Sequence, residues 1–184
     1  MKKILYIVLF ILIFASHGSE VFARDAMSGG SADIVYESKT AGNDQTTNKV
    51  LIKKTVIKKL LNQYNSPLIE STDVFIDACV KYNLDCYLLP AIAGLESTFG
   101  KFIYPNSYNP FGWGRGYMMF SRWEEAINAV AKGLRERYVN RGAQDTAQIG
   151  RIYSESPTWA VRVEFLKKQF YNEESKMKEI NFAL

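Results

Sequence analysis

From Lys49 onward the apolar residues recur at helical rather than alternating intervals. Leu51, Val56, Leu60 and Leu61 stand among lysines and predict a first amphipathic helix reaching about Tyr64. Ser71 or Thr72 can cap a second, whose Phe75, Ala78, Cys79 and Tyr82 share one face at i, i+3, i+4 and i+7. A third runs from about Leu89 through Ile92, Leu95, Glu96 and Phe99, with Pro90 tolerated in its first turn and Gly100 as its stop. Ser121-Arg-Trp-Glu124 has the form of a capping box, with Glu124 as the partner of Ser121, and opens a helix through Ile127, Val130, Leu134 and Tyr138. Asp145 or Thr146 starts a short helix carrying Ile149 and Tyr153. Ser156-Pro157 opens a last one with Trp159, Val163, Leu166 and Phe170 on one side. No segment alternates as a strand, so the expected fold is all-α. The stretch 101–120 is dense in Gly, Pro, Asn and aromatics, lacks a helical period, and predicts a loop or short hairpin.

The first 48 residues have a different character. Lys2 and Lys3 precede an unbroken apolar run, Ile4 to Ala15, and Val21-Phe22-Ala23 follows as a cleavage site, the pattern of a signal peptide spanning 1–23. The run is far shorter than the ~20 residues of a membrane-spanning helix. The expectation is export to the periplasm or the exterior, without stable membrane insertion after cleavage; an uncleaved anchor is the alternative. No cysteine lies near the cut to take a lipid. Residues 24–48, rich in Ser, Gly, Thr, Asn and Asp, read as a flexible linker, which leaves 49–184 as the folded domain.

A chain of 184 residues with 47% hydrophobic and 14% aromatic content suits one globular domain with a real core. Its single histidine, His17, falls inside the signal, so the exported chain would contain none. That excludes Ser-His-Asp and Cys-His nucleophiles and His-ligated zinc; no metal or cofactor is implied. The signal holds two Lys and one Glu, so +3 of the formal net charge of +4 stays with the rest. This modest, scattered excess suits an anionic polymer and shows no nucleic-acid stripe. Cys79 and Cys86 would stand about 10 Å apart along one straight helix, beyond disulfide reach. Asn83-Leu84-Asp85 reads as a helix break, however, so a disulfide across a corner and two buried thiols both stay open.

Glu96 stands out chemically. It falls on the face of Ile92 and Phe99, where the pattern expects a hydrophobe, and near the negative end of the helix dipole. Both features disfavour its ionised form, as a glycosidase acid requires. The loop that follows supplies rings to stack on sugars and amides to bond hydroxyls: Tyr104, Tyr108, Asn109, Phe111 and Trp113. For Tyr108 and Phe111, simple core packing is the competing reading.

Taken in order, Ala91-Ile-Ala-Gly-Leu-Glu96-Ser-Thr-Phe-Gly100, Asn109-Pro-Phe-Gly-Trp113, Phe120-Ser-Arg-Trp123-Glu-Glu-Ala-Ile127 and Ile152-Tyr153-Ser, with Trp159 and Val163 beyond, resemble the bacterial glucosaminidase family (mannosyl-glycoprotein endo-β-N-acetylglucosaminidase-like) of the lysozyme-like superfamily. Lytic transglycosylases and goose-type lysozymes are its relatives. The resemblance spans roughly Ser71 to Phe170. It implies a lysozyme-like helical fold, a β-1,4 glycan such as peptidoglycan as substrate and partner, and Glu96 as general acid. It further implies that Ser97 holds the helix beside the cleft, that Asn109 and Phe111-Gly112 form a cleft segment, and that Tyr153 lines the active site near the reacting carbon.

Many glucosaminidases carry a second acidic residue after the Asn-x-Phe-Gly segment, whereas here no Asp or Glu occurs between Lys101 and Trp123. With Glu124 read as a cap, Glu125 is the reserve candidate for a second carboxylate. Two single-acid routes fit better: attack by the substrate's own N-acetyl group, or closure to a 1,6-anhydro sugar. Competing with an enzyme are a catalytically silent wall-binding module and a signal-anchored scaffold for a protein partner.

Overall fold

The structure, a computed structural model, describes residues 41–182, with side-chain placement for 46–179. The expected signal peptide and the first part of the expected linker lie outside the described residues. Among the described residues there are six α-helices: α1 (Ala41–Gln63), α2 (Thr72–Lys81), α3 (Leu88–Ser97), α4 (Trp123–Arg137), α5 (Thr146–Tyr153) and α6 (Trp159–Phe182). Short 3₁₀ turns at Ile69–Ser71 and Val139–Arg141 accompany them, and no strand occurs among the described residues. The expected all-α class is the one observed, and 101–120 is an irregular loop rather than a hairpin of strands. Helix α1 begins at Ala41, inside the stretch read as linker. Once nucleated by its amphipathic half, a helix extends through polar residues at little cost, and polarity hid this part.

Helix α3 is the centre. Leu88 to Ala93 are buried on every side, as in a helix surrounded by others. It packs on α6 and α2; α6 in turn packs on α1 and α5, and α4 on α2. Large side chains such as Phe75, Leu61, Ile92, Leu134 and Phe170 are fully buried between these helices, each contributing about 1.5–3 kcal/mol. Asp145 caps α5 by accepting from the Gln148 N–H at 2.7 Å, one of the two caps expected there.

The corner between α2 and α3 is tied three ways. Asn83 takes a left-handed φ of 46° and breaks the helix where expected. The guanidinium of Arg135 on α4 donates to the carbonyls of Tyr82 and Asn83 at the end of α2, satisfying groups a helix terminus leaves free. Cys79 and Cys86 form a disulfide across the corner, their Cα atoms 4.8 Å apart. For so short a loop, chain entropy puts its contribution at about 2–3 kcal/mol.

A polar lock joins α6 to α1 and α3. Glu174, almost fully buried, accepts from the Tyr87 hydroxyl at 2.7 Å, from Lys53 at 3.2 Å and from Lys178 at 2.7 Å, while Glu173 pairs with Lys59. Burial pushes the Glu174 carboxyl up, but Lys178, the Tyr87 hydroxyl and Lys53 outweigh it and hold the group below the usual carboxylate range. Stabilisation from a depressed acid is present above its unfolded value of about 4.3 and is lost as pH falls through the folded value. Glu174→Gln should therefore lower the unfolding free energy at pH 7 by about 2 kcal/mol, the scale of hydrogen bonds to a charged group. It should also flatten the loss of stability below about pH 4.3. Urea titrations of both proteins at several pH values check this; equal stability throughout would show the lock to be inert.

Candidate active site

The site begins where α3 ends. After Ser97 the chain enters three consecutive left-handed residues, Thr98, Phe99 and Gly100 at φ 51°, 58° and 82°. The Phe99 N–H turns back to the Ala93 carbonyl at 3.0 Å, the closure of a Schellman-type end. Phe99 thereby leaves the helix and folds into the core, stacked on Tyr64 at 4.4 Å. Its ring fills the place a Cβ on Gly94 would take, 2.6 Å away. The stop thus falls earlier than the pattern expects, and Glu96 does not share a face with Phe99. Glu96 is exposed at the end of α3 while Ile92 and Phe99 are buried. The burial anticipated from the pattern is not found; Glu96 does lie near the C-terminal end of the helix.

Ser97 is buried and ties this end to the loop. Its hydroxyl lies 2.8 Å from the Pro110 carbonyl and 3.0 Å from that of Ala93, and accepts from the Gly100 N–H at 2.8 Å. Asn109 braces the loop from inside. Its amide nitrogen donates to the Trp113 carbonyl at 2.7 Å and the Met118 carbonyl at 3.2 Å, and its oxygen accepts from the Trp113 N–H at 3.2 Å. With both amide protons used and the side chain buried, Asn109 is a brace and not a hydroxyl reader as first expected. Phe111 is 1% exposed, so it is core and not the stacking face expected of it.

Trp113 is half-buried. Its ring sits where α4 carries Gly133, and Arg137 lies 5.9 Å from the ring centre. Tyr108, at a left-handed φ of 47°, packs edge-on against Trp123 at 5.1 Å. Tyr104 is exposed and forms an edge-to-face pair with Tyr117, 5.2 Å between centres. Of the rings expected to meet a ligand, Tyr104 is the most open and Trp113 and Tyr108 are partly so.

Two aromatic residues from the far end of the chain reach Glu96. The indole N–H of Trp159, first residue of α6, donates to Glu96 Oε1 at 2.7 Å. Tyr153, last residue of α5, stacks on Trp159 at 4.7 Å and donates its hydroxyl to the Phe111 carbonyl at 2.9 Å. Burial, and after it the Glu96 charge, push the Tyr153 phenol well up, so at neutral pH it is an uncharged hydroxyl and not a phenolate. The sequence placed Trp159 in a hydrophobic stripe and in the series that carries the resemblance, without a role at the acid. A tryptophan in such a stripe carries a donor that must find a partner when buried, and that was the available signal. Gly112, part of the expected cleft segment, lies beside the acid: a Cβ there would stand 3.3 Å from Glu96 Oε2.

The capping assignment is corrected. Glu125, not Glu124, partners Ser121: its Oε2 accepts from the Ser121 N–H at 2.7 Å and hydroxyl at 2.6 Å. Glu124 lies 3.5 Å from the Ser71 hydroxyl. The Ser121 hydroxyl and N–H hold the Glu125 carboxyl below its usual range. Glu125 faces a surface depression with Tyr82, Arg122, Glu124, Asn128 and Lys132. Glu96 is not among its lining residues, and the reserve second carboxylate is thus committed to a cap.

No family model matches the chain, and no curated protein matches it. Among solved structures, the helical fold is shared with S. aureus autolysin E, crystallised in complex with the muropeptide NAM-L-Ala-D-iGlu. The match has a TM-score of 0.54 and covers 65% of this chain and 67% of that one at 21% identity. The chain therefore has the mainly helical architecture of that autolysin.

The seat of the Trp113 ring on α4 depends on Gly133 having no side chain. Alanine in a helix interior normally gains about 1 kcal/mol over glycine. Here a Cβ would lie well inside contact distance of the Trp113 ring, and overpacking costs about 1–3 kcal/mol. Gly133→Ala should therefore fail to stabilise and should shift the tryptophan emission, read by urea unfolding and fluorescence. A gain of about 1 kcal/mol with unchanged emission would show the contact to be slack.

Proposed function

We propose that this protein is a peptidoglycan hydrolase that cleaves β-1,4 glycosidic bonds of the glycan strand, endo-β-N-acetylglucosaminidase-like, with Glu96 as its one general acid. The observation that carries this reading is an exposed carboxylate at the end of a buried helix, held by a tryptophan N–H beside a neutral tyrosine and an aromatic loop. The fold shared with an autolysin crystallised with a muropeptide supports the wall as substrate. The disulfide suits an oxidising compartment, periplasmic or extracellular. No helix among the described residues is long and apolar enough to cross a membrane.

With Glu125 committed to a cap, a single-acid scheme accounts best for the chemistry. The bond from C1 to the leaving oxygen breaks with its electron pair going to that oxygen, which takes the Glu96 proton. The substrate's N-acetyl carbonyl oxygen closes on C1 as an oxazolinium ion, and water then opens it while giving a proton back to Glu96. In the transglycosylase variant the sugar's C6 hydroxyl closes on C1 instead, returns its proton to Glu96 and leaves a 1,6-anhydro end. Tyr153, as a neutral hydroxyl, can brace the loop or bond the substrate but is not the nucleophile.

A second reading, a silent wall-binding module, draws on the same commitment of Glu125 to a cap. Turbidity loss of purified cell walls separates the two. Glu96→Gln should lower the rate by about 10²–10⁴, the usual contribution of a general acid, while co-sedimentation with the wall persists. A wild-type protein that co-sediments without clearing the wall would establish the binding module instead.

A further inference from the structure

We propose that Trp159 is a positioning residue for the acid: its indole N–H fixes Glu96 Oε1 as the acceptor oxygen, so that the proton to be donated is carried on Oε2, beside Gly112. This rests on the reading of Glu96 as general acid. An indole N–H is a donor only, and the hydroxyl oxygen of a protonated carboxyl is the poorer acceptor of the two. A donor 2.7 Å from Oε1 therefore biases the carboxyl proton to the other oxygen. Oε2 lies against Gly112, at φ 68°, and a Cβ there would stand 3.3 Å from it. Glycine keeps that oxygen open. As the proton leaves, the same N–H meets a developing carboxylate, a charge-assisted and stronger bond.

The donor is itself held. Trp159 is 3% exposed, its ring stacks on Tyr153, and Tyr153 is pinned by its hydroxyl to the Phe111 carbonyl. On α5, Gly150 carries no side chain where a Cβ would lie 3.0 Å from Trp159 Cε3. An exposed glutamate at a helix end otherwise loses rotamer freedom on ordering; here a rigid partner from α6 supplies the order.

The test compares two leaving groups. A 4-nitrophenyl glycoside of a chito-oligosaccharide departs without needing a proton, whereas a sugar hydroxyl does need one. Trp159→Phe keeps the ring and removes the N–H. Its kcat on glycan strands should fall on the order of 10–100-fold, as for a charge-assisted bond, with KM within about twofold. Single-turnover release of 4-nitrophenol should fall far less. Equal losses on both substrates, or none on either, would overturn the proposal. A measurement independent of turnover guards against a poorly folded variant: the indole ¹⁵N–H signals of Trp113, Trp123 and Trp159 in ¹⁵N-labelled protein. The Trp159 signal should move in Glu96→Gln; if it does not, the bond is absent in solution and the proposal fails. A wild type that cleaves neither substrate would remove the reading of Glu96 as an acid and the positioning role with it. A wild type that cleaves both, beside an unaffected Trp159→Phe, would remove the positioning role alone.

Discussion

The end of α3 is the constraint from which the site follows. A helix buried on all sides must stop abruptly to bring a charged residue to water, and it stops through three left-handed residues in succession. Only one of the three is glycine, so Thr98 and Phe99 hold a disfavoured backbone, each costing on the order of 1 kcal/mol or more. Core burial of the Phe99 ring against Gly94 and Tyr64 offsets that cost. Ser97, bridging Ala93, Pro110 and Gly100, welds the turn to the loop. Glu96 sits one residue before this weld, and its orientation is thereby set by packing on one side and by Trp159 on the other.

The loop and the helices that frame Glu96 come from distant parts of the chain. Residues 101–120 stay irregular because their polar groups are satisfied inwardly by Asn109, Ser107 and Ser97, while glycines on α3, α4 and α5 cut seats for Phe99, Trp113 and Trp159. A glycine within a helix costs about 1 kcal/mol relative to alanine, and at Gly94, Gly133 and Gly150 each admits an aromatic ring that a methyl group would displace. The aromatic content so evident in the composition is thus divided between seats in the core and open faces such as Phe102, Tyr104, Tyr117 and Phe165.

Helical periodicity is enough to read the order of the six helices among the described residues and the break at Asn83; it leaves Asp145 or Thr146 as the α5 cap, and a loop or a hairpin at 101–120, for the structure to decide. It failed where one position has two explanations of equal pattern. Glu124 and Glu125 are both within reach of Ser121, and only the actual backbone path shows the carboxylate four residues on making the bond. Asn109 and Phe111 look like ligand-facing groups in a loop sequence, yet tertiary contacts consume them. Spacing places Glu96 in an apolar stripe that runs on through Phe99, whereas the left-handed turn after Ser97 takes Phe99 into the core and leaves Glu96 exposed. Trp159 was invisible as a partner because hydrophobic spacing says where a ring lies and nothing about where its N–H points.

The most direct measurement is mass analysis of muropeptides released from purified peptidoglycan, beside a Glu96→Gln control. The account predicts new glycan ends with the wild-type protein and none with the control. Reducing N-acetylglucosamine would identify the glucosaminidase route, and 1,6-anhydro ends the intramolecular one. New ends produced equally by the Glu96→Gln protein would contradict the assignment of Glu96 as the acid.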